Sequence, residues 1–272
     1  MIFNTPDRVA TLTRRYEGER FLDGRPRVPD DLLERMRLVT TEEAWAVLRR
    51  HGYHFQFEGN WLNLHPDRVL VGRAVTAVFV PIRPDLHELV EEIGREDGRV
   101  GGQNSWVIDT LVKDDVLVVD LFGKVKDGTF AGDNLSTAIK SRAGTGMVVD
   151  GGLRDLQRVY QIPDFAVFVR GVDPTAIADV TLLGVNVPIR IGQATVLPGD
   201  VVLGTRTGVI FIPPHLAQEV VEYSEDIRLR DQFSKQRLSE GRYKPGQVDV
   251  PVWAPEIEAD FQAWRRARLL GE

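Results

Sequence analysis

The chain has 272 residues, 43% of them apolar, so it is long for one domain, short for two, and able to bury one sizeable core. Its 40 acidic residues outnumber its 34 lysines and arginines, and neither sign forms a long block, which argues against nucleic acid as an electrostatic partner. The absence of cysteine excludes disulfides, thiolate metal sites and a cysteine nucleophile.

The amino-terminal part of the chain predicts a helical arm over residues 1–66. Residues 30–37 have the apolar spacing of an amphipathic helix. Thr40 and Glu43 make a capping box ahead of a further helix, which Gly52 is expected to end.

Residues 1–15 contain no apolar signal core, and no stretch of the chain approaches the roughly 18 apolar residues of a membrane span. We therefore expect a cytoplasmic protein without a membrane partner.

Short valine- and isoleucine-rich runs alternate with helical segments after the arm, which predicts an α/β core over residues 67–214. The expected strands are residues 69–82, 116–121, 147–149, 165–169, 185–191, 201–203 and 209–212. The expected helices are residues 86–93, 105–111 and 135–142.

A second arm is predicted over residues 215–272. Residues 216–238 have the pattern of one long, highly charged helix. Three aromatic residues follow, Trp253, Phe261 and Trp264, and we expect them to pack on the chain's own core or on a neighbouring subunit rather than to bind a ligand.

A glycine loop within the predicted core has the character of an anion-binding helix start. Gly132 frees the backbone ahead of a predicted helix, so the amides of Asp133, Asn134 and Leu135 can point outward as unpaired donors. Such a helix end attracts anions.

An Arg-Asp pair follows, after eighteen intervening residues. An apolar strand turns through two glycines and brings Arg154 and Asp155 to the rim where α/β folds bind ligands. A guanidinium binds a carboxylate through two parallel hydrogen bonds, and a carboxylate is a hard ligand for Mg²⁺ or Mn²⁺. Taken alone such a pair indicates a surface turn, but together with the glycine loop it predicts a site for a chelating 2-keto acid.

The order and spacing of these motifs resemble the RraA-like family, which includes 4-hydroxy-4-methyl-2-oxoglutarate aldolases and the RraA regulator of ribonuclease E. Residues 71–76 and 116–120 resemble its first core strands, and residues 196–200 and 208–213 resemble its closing strands. The resemblance covers about residues 65–240.

The resemblance implies a layered β/β/α sandwich of the swivelling phosphohistidine-domain type, here with helical arms at both ends. It also implies a homotrimer or a hexamer, with active sites at the subunit boundaries.

By the same resemblance, Asp155 would hold Mg²⁺ or Mn²⁺ largely through water, and Arg154 would contact the substrate. The segment from Gly132 through Asn134 to Leu135 would bind the substrate through its amides, and Asp133 would orient metal-bound water. A carboxylate of the neighbouring subunit would complete the site, with three candidates that the sequence does not separate: Glu222, Glu225 and Asp231.

Two positions depart from the family pattern. Arg158 stands where the aldolases have an acidic residue, and Thr205 stands where many relatives have an aspartate. Both departures bear on the reaction more than on the fold.

The function expected from the resemblance is that of a metal-dependent lyase without an organic cofactor. It would cleave a 4-hydroxy-2-keto acid to pyruvate, with oxaloacetate decarboxylation as a related activity. One alternative is a non-catalytic RraA-like protein that binds and inhibits a ribonuclease. Another is a lyase for a bulkier sugar-acid or aromatic-derived keto acid.

Other patterns with chemical meaning are weaker. Gly144-Thr145-Gly146 lacks the third glycine of a dinucleotide fingerprint. Asp120 and Asp150 each end an apolar strand, and we interpret them as turn formers that bind local amides, or otherwise as carboxylates behind the metal.

Overall fold

The computed structural model describes residues 3–270, with side chains through residue 268. Residues 1, 2, 271 and 272, at the outer ends of the two predicted arms, lie outside the described residues. The helices are α1 (Pro6–Leu12), α2 (Asp30–Met36), α3 (Thr41–Arg50), α4 (Pro84–Glu96), α5 (Gln103–Ile108), α6 (Asp133–Ala143), α7 (Leu156–Val159), α8 (Ala217–Ser239), α9 (Pro245–Val248) and α10 (Pro255–Leu270).

Most strands of residues 3–270 join one mixed sheet. The strands are β1 (Phe57–Glu58), β2 (Leu62–Asn63), β3 (Leu70–Pro81), β4 (Asp115–Ala131), β5 (Gly146–Leu153), β6 (Ala166–Val172), β7 (Val180–Val185), β8 (Ile189–Ile191), β9 (Ala194–Val196), β10 (Val201–Gly204) and β11 (Val209–Ile212). The order across the nine-stranded sheet is β1-β11-β10-β3-β4-β5-β6-β2, with β7 also paired to β3, while β8 and β9 form a separate two-stranded sheet.

The centre of the sheet is parallel. Strands β3, β4, β5 and β6 run in the same direction, and their middle residues are buried. Burial on both faces explains their nearly continuous runs of valine and leucine. Because the strands are parallel, their carboxyl ends meet at one edge, where α/β folds place ligands.

Helices pack on one face of the sheet in two clusters, and the β8–β9 pair packs on the other face. One core cluster joins β3, β4, β5 and β6 to α5 and α6, and it includes the fully buried Phe130 and Ile139. A second cluster joins β10 and β11 to α2, α3 and α8. Helices of both predicted arms therefore pack on the sheet, and the proposed division at residues 66 and 214 stays a prediction.

The predicted β/β/α sandwich of the phosphohistidine-domain type is wrong. The long strand β3 pairs with β10 along residues 70–73 and with β7 along residues 77–81, on the side opposite to β4. Strands β7 and β10 therefore extend the same sheet, and the two short strands β8 and β9 pack on its other face.

The predicted capping box of α3 is confirmed. Thr40 Oγ1 accepts a hydrogen bond from the Glu43 amide at 3.2 Å, and Glu43 accepts one from the Thr40 amide at 2.8 Å, so the capping box starts α3 as expected. The predicted strand over residues 185–191 is instead split into β7 and β8 by a turn at Asn186, whose φ is +54°.

The aromatic residues of the carboxyl-terminal region pack against α8, as predicted. The ring centroid of Phe233 lies 5.4 Å from that of Trp253 and 5.5 Å from that of Phe261. Trp264 packs on the same cluster, which joins α8 to α10 away from the sheet. Within residues 3–270, no helix combines the length and apolar character needed to cross a bilayer.

A buried ion pair fastens the amino-terminal segment to the sheet. Arg25 donates to both carboxylate oxygens of Asp115, at 2.7 and 3.1 Å, and the two side chains are 1% and 0% exposed. Burial raises the pKa of Asp115, while the Arg25 guanidinium acts in the opposite direction. The pair therefore attaches the amino-terminal segment to the first residue of β4, which lies far from Arg25 in the sequence.

Candidate active site

The ends of β4 and β5 bring the glycine loop and the Arg-Asp pair together. The pairing of β4 with β5 is regular through Asp120 and irregular from Lys124 to Thr129, after which Ala131 pairs with Leu153. The Arg154 amide then donates to the Ala131 carbonyl at 3.1 Å. Helices α6 and α7 both begin at this edge.

A side chain at Gly132 would crowd the Arg-Asp pair. The Gly132 φ of −113° is open to any residue, so backbone freedom is not the reason for glycine at this position. A Cβ at Gly132 would overlap Asp155 Oδ2 and lie 3.0 Å from Arg154 Nε. The predicted loop and the predicted pair are thus in direct contact.

Asp155 has a left-handed backbone. Its φ and ψ are +56° and 35°, directly before α7. Aspartate tolerates this conformation better than most residues, yet it is sparsely populated, and such residues concentrate at functional sites. The turn projects the Asp155 side chain back toward Gly132.

The first amides of α6 differ in their availability. The Asn134 amide donates to its neighbour's carboxylate, Asp133 Oδ1, at 3.0 Å. Within the described part of the chain, the Asp133 and Leu135 amides have no acceptor. The Leu135 side chain packs against the main core and fixes the first turn of the helix. Two donors therefore remain for an anion.

The charges around the loop are only loosely paired. Arg154 Nε lies 3.6 Å from Asp155 Oδ2, with the two side chains 42% and 40% exposed. Arg158 Nη1 lies 3.3 Å from Asp133 Oδ2. Arg158, one of the two departures from the family pattern, therefore pairs with one carboxylate oxygen of Asp133 in the glycine loop.

The donor set of one chain suits a hard cation held mainly by water. Among residues 3–270, no three His, Asp or Glu side chains lie close enough to enclose a metal ion. Mg²⁺ commonly binds to one or two carboxylates and keeps several waters. The half-exposed Asp155 fits this mode, with the remaining ligands supplied by water, substrate or another chain.

The three candidate carboxylates of α8 differ in their partners. Glu225 forms a two-bond ion pair with Arg35, each bond 2.8 Å long, and this pair lowers its pKa. Asp231 lies 3.7 Å from Lys235. Glu222 accepts a hydrogen bond from the neutral Gln218 at 2.8 Å. Glu222 is therefore the least committed of the three.

A network at the same sheet edge was not expected from the sequence. Arg170 donates to Asp150 at 2.6 Å and to Glu58 at 3.0 Å, and its guanidinium lies 3.8 Å from the Trp61 ring centroid. Asp150 is thus an ion-pair partner, and its interpretation as a local turn former is wrong. Nothing local in the sequence links Glu58 to residues about a hundred positions later.

Asp120 does behave as a turn former. It accepts hydrogen bonds from the amides of Phe122 and Arg190, at 3.0 and 3.4 Å. Burial raises the pKa of Asp120, and the nearby Asp150 carboxylate adds to this increase.

Comparison of the sequence with known proteins identifies a family and several relatives. The model of the family described as RraA-like, Aldolase/RraA, matches residues 42–211. A Halalkalibacterium halodurans protein named "putative 4-hydroxy-4-methyl-2-oxoglutarate aldolase" is 30% identical over 126 residues, which are 46% of this chain and 59% of that protein. Protein DlpA of Legionella pneumophila is 32% identical over 136 residues, which are 49% of this chain and 22% of DlpA.

Solved structures agree with this relationship. RraAS2 of Streptomyces coelicolor, described as an unusual member of the RNase ES inhibitor RraA protein family, superposes with a TM-score of 0.66 at 27% identity and covers 78% of this chain and 98% of its own. An uncharacterized Pseudomonas syringae protein, at 22% identity and a TM-score of 0.64 over 83% of this chain and 100% of its own, shares the fold.

The structural similarity is to RraAS2 and not to a phosphohistidine domain. It agrees with the large mixed sheet described above. The family model covers more than half of the chain, including β3, β4, β5 and the loop between Gly132 and Asp155. The chain belongs to the RraA-like family, which comprises aldolases and RraA-type proteins.

Proposed function

We propose that the chain is a divalent-metal-dependent lyase that cleaves a 4-hydroxy-2-keto acid to pyruvate. The observation that carries the proposal is the contact between Gly132 and the Asp155 carboxylate, which places two unpaired amides, a guanidinium and a half-exposed carboxylate around one point. The name of the Halalkalibacterium relative supports an aldolase.

The chain's own residues would bind and orient the substrate. The Asp133 and Leu135 amides, at the positive end of α6, would hold the pyruvyl carboxylate. Arg154 would bind the oxygen at the other end of the reacting bond. Fixing both ends aligns the C3–C4 bond for cleavage, and such positioning lowers the barrier by several kcal/mol, about 7–11 in the most favourable model reactions.

A metal ion would be held by Asp155. Mg²⁺ or Mn²⁺ bound there would supply Lewis-acid stabilisation of the enolate charge that develops as the bond breaks. Asp133, held by Arg158, would orient the water that accepts the hydroxyl proton. Oxaloacetate could be decarboxylated at the same site, because loss of CO₂ leaves the same pyruvate enolate.

The open position of the site supports a further part of the proposal, that the chain works as a homotrimer or hexamer. Arg154 and Asp155 are both about two-fifths exposed, so water would reach the reacting atoms in a single chain. A neighbouring subunit would cover them, and Glu222 is the α8 carboxylate that is least engaged in its own chain.

An apolar cavity beside the site bears on the size of the substrate. This cavity has a volume of about 470 Å³, and its lining includes Leu156, the residue that follows Asp155, together with Leu62, Leu64 and Tyr160. This apolar surface would suit the alternative of a bulkier, aromatic-derived keto acid, so the assay should include such substrates.

The test is pyruvate release from oxaloacetate and from several 4-hydroxy-2-keto acids, with Mg²⁺ and with a chelator. Asp155→Asn keeps the size of the side chain and tolerates the left-handed backbone, and we expect it to lower kcat by about 100-fold or more. Asp164→Asn is the matched control, because Asp164 is an exposed aspartate with a φ of +51° that precedes β6, at the opposite end of the parallel strands from the site. Full activity of Asp155→Asn, or activity indifferent to chelator, would exclude the mechanism.

The second candidate is a non-catalytic protein that binds and inhibits a ribonuclease. The Arg158–Asp133 ion pair favours it, because it neutralises a carboxylate that the lyase would use. The similarity to RraAS2, whose family is described as RNase ES inhibitors, also supports it. Inhibition of ribonuclease E cleavage that is unchanged in Asp155→Asn, together with no pyruvate release from any substrate, would decide for this function.

A further inference from the structure

A second cavity, of about 370 Å³, lies between the residues that follow α1 and the end of β11. The residues that matter to its chemistry are Arg14, Arg15, Tyr53, Asp200 and His215. None of the cavity's lining residues belongs to the candidate active site. Its volume falls in the lower part of the range of small-molecule sites, which is about 300–1,000 Å³.

Two arginines provide positive charge at this cavity. Arg14 and Arg15 are both exposed, and neither forms an ion pair with a carboxylate of the described residues. Arg15 Nη1 lies 3.5 Å from the Tyr53 hydroxyl, which lies 3.4 Å from His215 Nε2. The guanidinium groups are therefore available to an outside anion.

Burial shifts the pKa values of two other groups of the lining, His215 and Asp200, toward their uncharged forms. Burial lowers the pKa of His215, and the neighbouring Arg15 and His51 lower it further. Burial raises the pKa of Asp200 to about 8, and its carboxyl group accepts one hydrogen bond, from the Leu197 amide at 2.8 Å. The lining thus carries the two arginine charges, and its carboxyl group, that of Asp200, is buried.

The remaining lining is largely apolar. Leu12, Leu197, Pro213 and Pro214 provide hydrocarbon surface beside the arginines. An inorganic anion would leave this surface exposed to water, whereas an organic acid would cover it. Guanidinium groups bind carboxylates through paired hydrogen bonds.

We propose that this cavity binds a small organic carboxylate, with its charged end at Arg14 and Arg15 and its apolar body against Leu12, Leu197 and the two prolines. The site is separate from the proposed lyase site and does not depend on it.

The test is calorimetric titration of the full chain with benzoate, pyruvate and inorganic phosphate, supported by saturation-transfer NMR of the same mixtures. We expect benzoate to bind more tightly than phosphate. Arg14→Gln and Arg15→Gln should each weaken benzoate binding by about tenfold. Arg8→Gln is the matched control, because Arg8 is exposed in α1 and does not line the cavity.

Each result decides about the site. Wild-type affinity for benzoate in Arg8→Gln and in Asp155→Asn, with losses in the two cavity variants, would support the proposal. Pyruvate binding with the same arginine dependence would also support it and would identify the proposed reaction product as one source of the carboxylate. No benzoate binding at about 10 mM, equal affinity for phosphate, or unchanged affinity in Arg14→Gln and Arg15→Gln would overturn it.

Discussion

Two regions of this molecule contain an arginine and an aspartate in contact, in opposite environments. At the seam between the amino-terminal segment and β4, Arg25 and Asp115 are buried and joined by two short hydrogen bonds. At the rim after β5, Arg154 and Asp155 are half-exposed and 3.6 Å apart. The buried pair cannot bind a further partner, whereas the exposed pair can. The same two residue types therefore serve the fold in one region and fit ligand binding in the other.

The largest expected effect is on the buried pair. Arg25→Ala would leave the Asp115 carboxylate buried without its counter-charge, and we expect the free energy of unfolding to fall by about 3–5 kcal/mol. Arg154→Ala, at the exposed pair, should change it by less than about 1 kcal/mol. Urea denaturation of both variants measures the contrast, and equal losses would show that burial does not separate the two pairs.

A buried carboxyl group without a guanidinium sharpens the comparison. Asp200 is fully buried, its pKa is raised to about 8, and in the unfolded chain its pKa is near the usual 3.8. Its contribution to stability is therefore complete below pH 4 and is lost progressively as the pH rises to about 8.

Asp200→Asn removes this titration. The stability of the wild type relative to Asp200→Asn should fall by a few kcal/mol, on the order of 1.4 per pKa unit at most, between pH 5 and pH 8. Urea denaturation of both proteins at the two pH values measures it, because the other titrating groups cancel in the difference. A difference independent of pH would mean that Asp200 is ionised in the folded protein.

The smallest expected effect on stability is at the rim. Gly132→Ala would place a methyl group where the Asp155 carboxylate lies, and that side chain can swing away, so the free energy of unfolding should change by less than about 1 kcal/mol. Displacement of the carboxylate should lower pyruvate release by about tenfold or more.

Gly246→Ala is the control for this substitution, because a Cβ there meets no atom within 4 Å. It should retain full activity. If Gly132→Ala also retains full activity, the close approach of Gly132 to Asp155 has no role in the reaction.

Much of the candidate site could be predicted from the sequence because its parts are local. The glycine loop, Arg154 and Asp155 follow strand ends, and neighbouring parallel strands bring their ends to one edge. The reason for Gly132 could not be predicted, since the crowding atom belongs to Asp155. The partner of Asp133 also required the structure, because Arg158 reaches it only after α7 has formed.

The sequence by itself determined the types of most elements, the capping box of α3, and the motifs of the RraA-like family. These features depend on periodicity and on contacts within a few residues. The tertiary structure decided that β7 and β10 share one edge of β3, that Arg25 pairs with Asp115, and that Arg170 joins Asp150 to Glu58. Strand edges offer the same backbone donors and acceptors to any partner, and charged side chains attract any opposite charge. The choice among partners therefore depends on which arrangement buries the whole chain best.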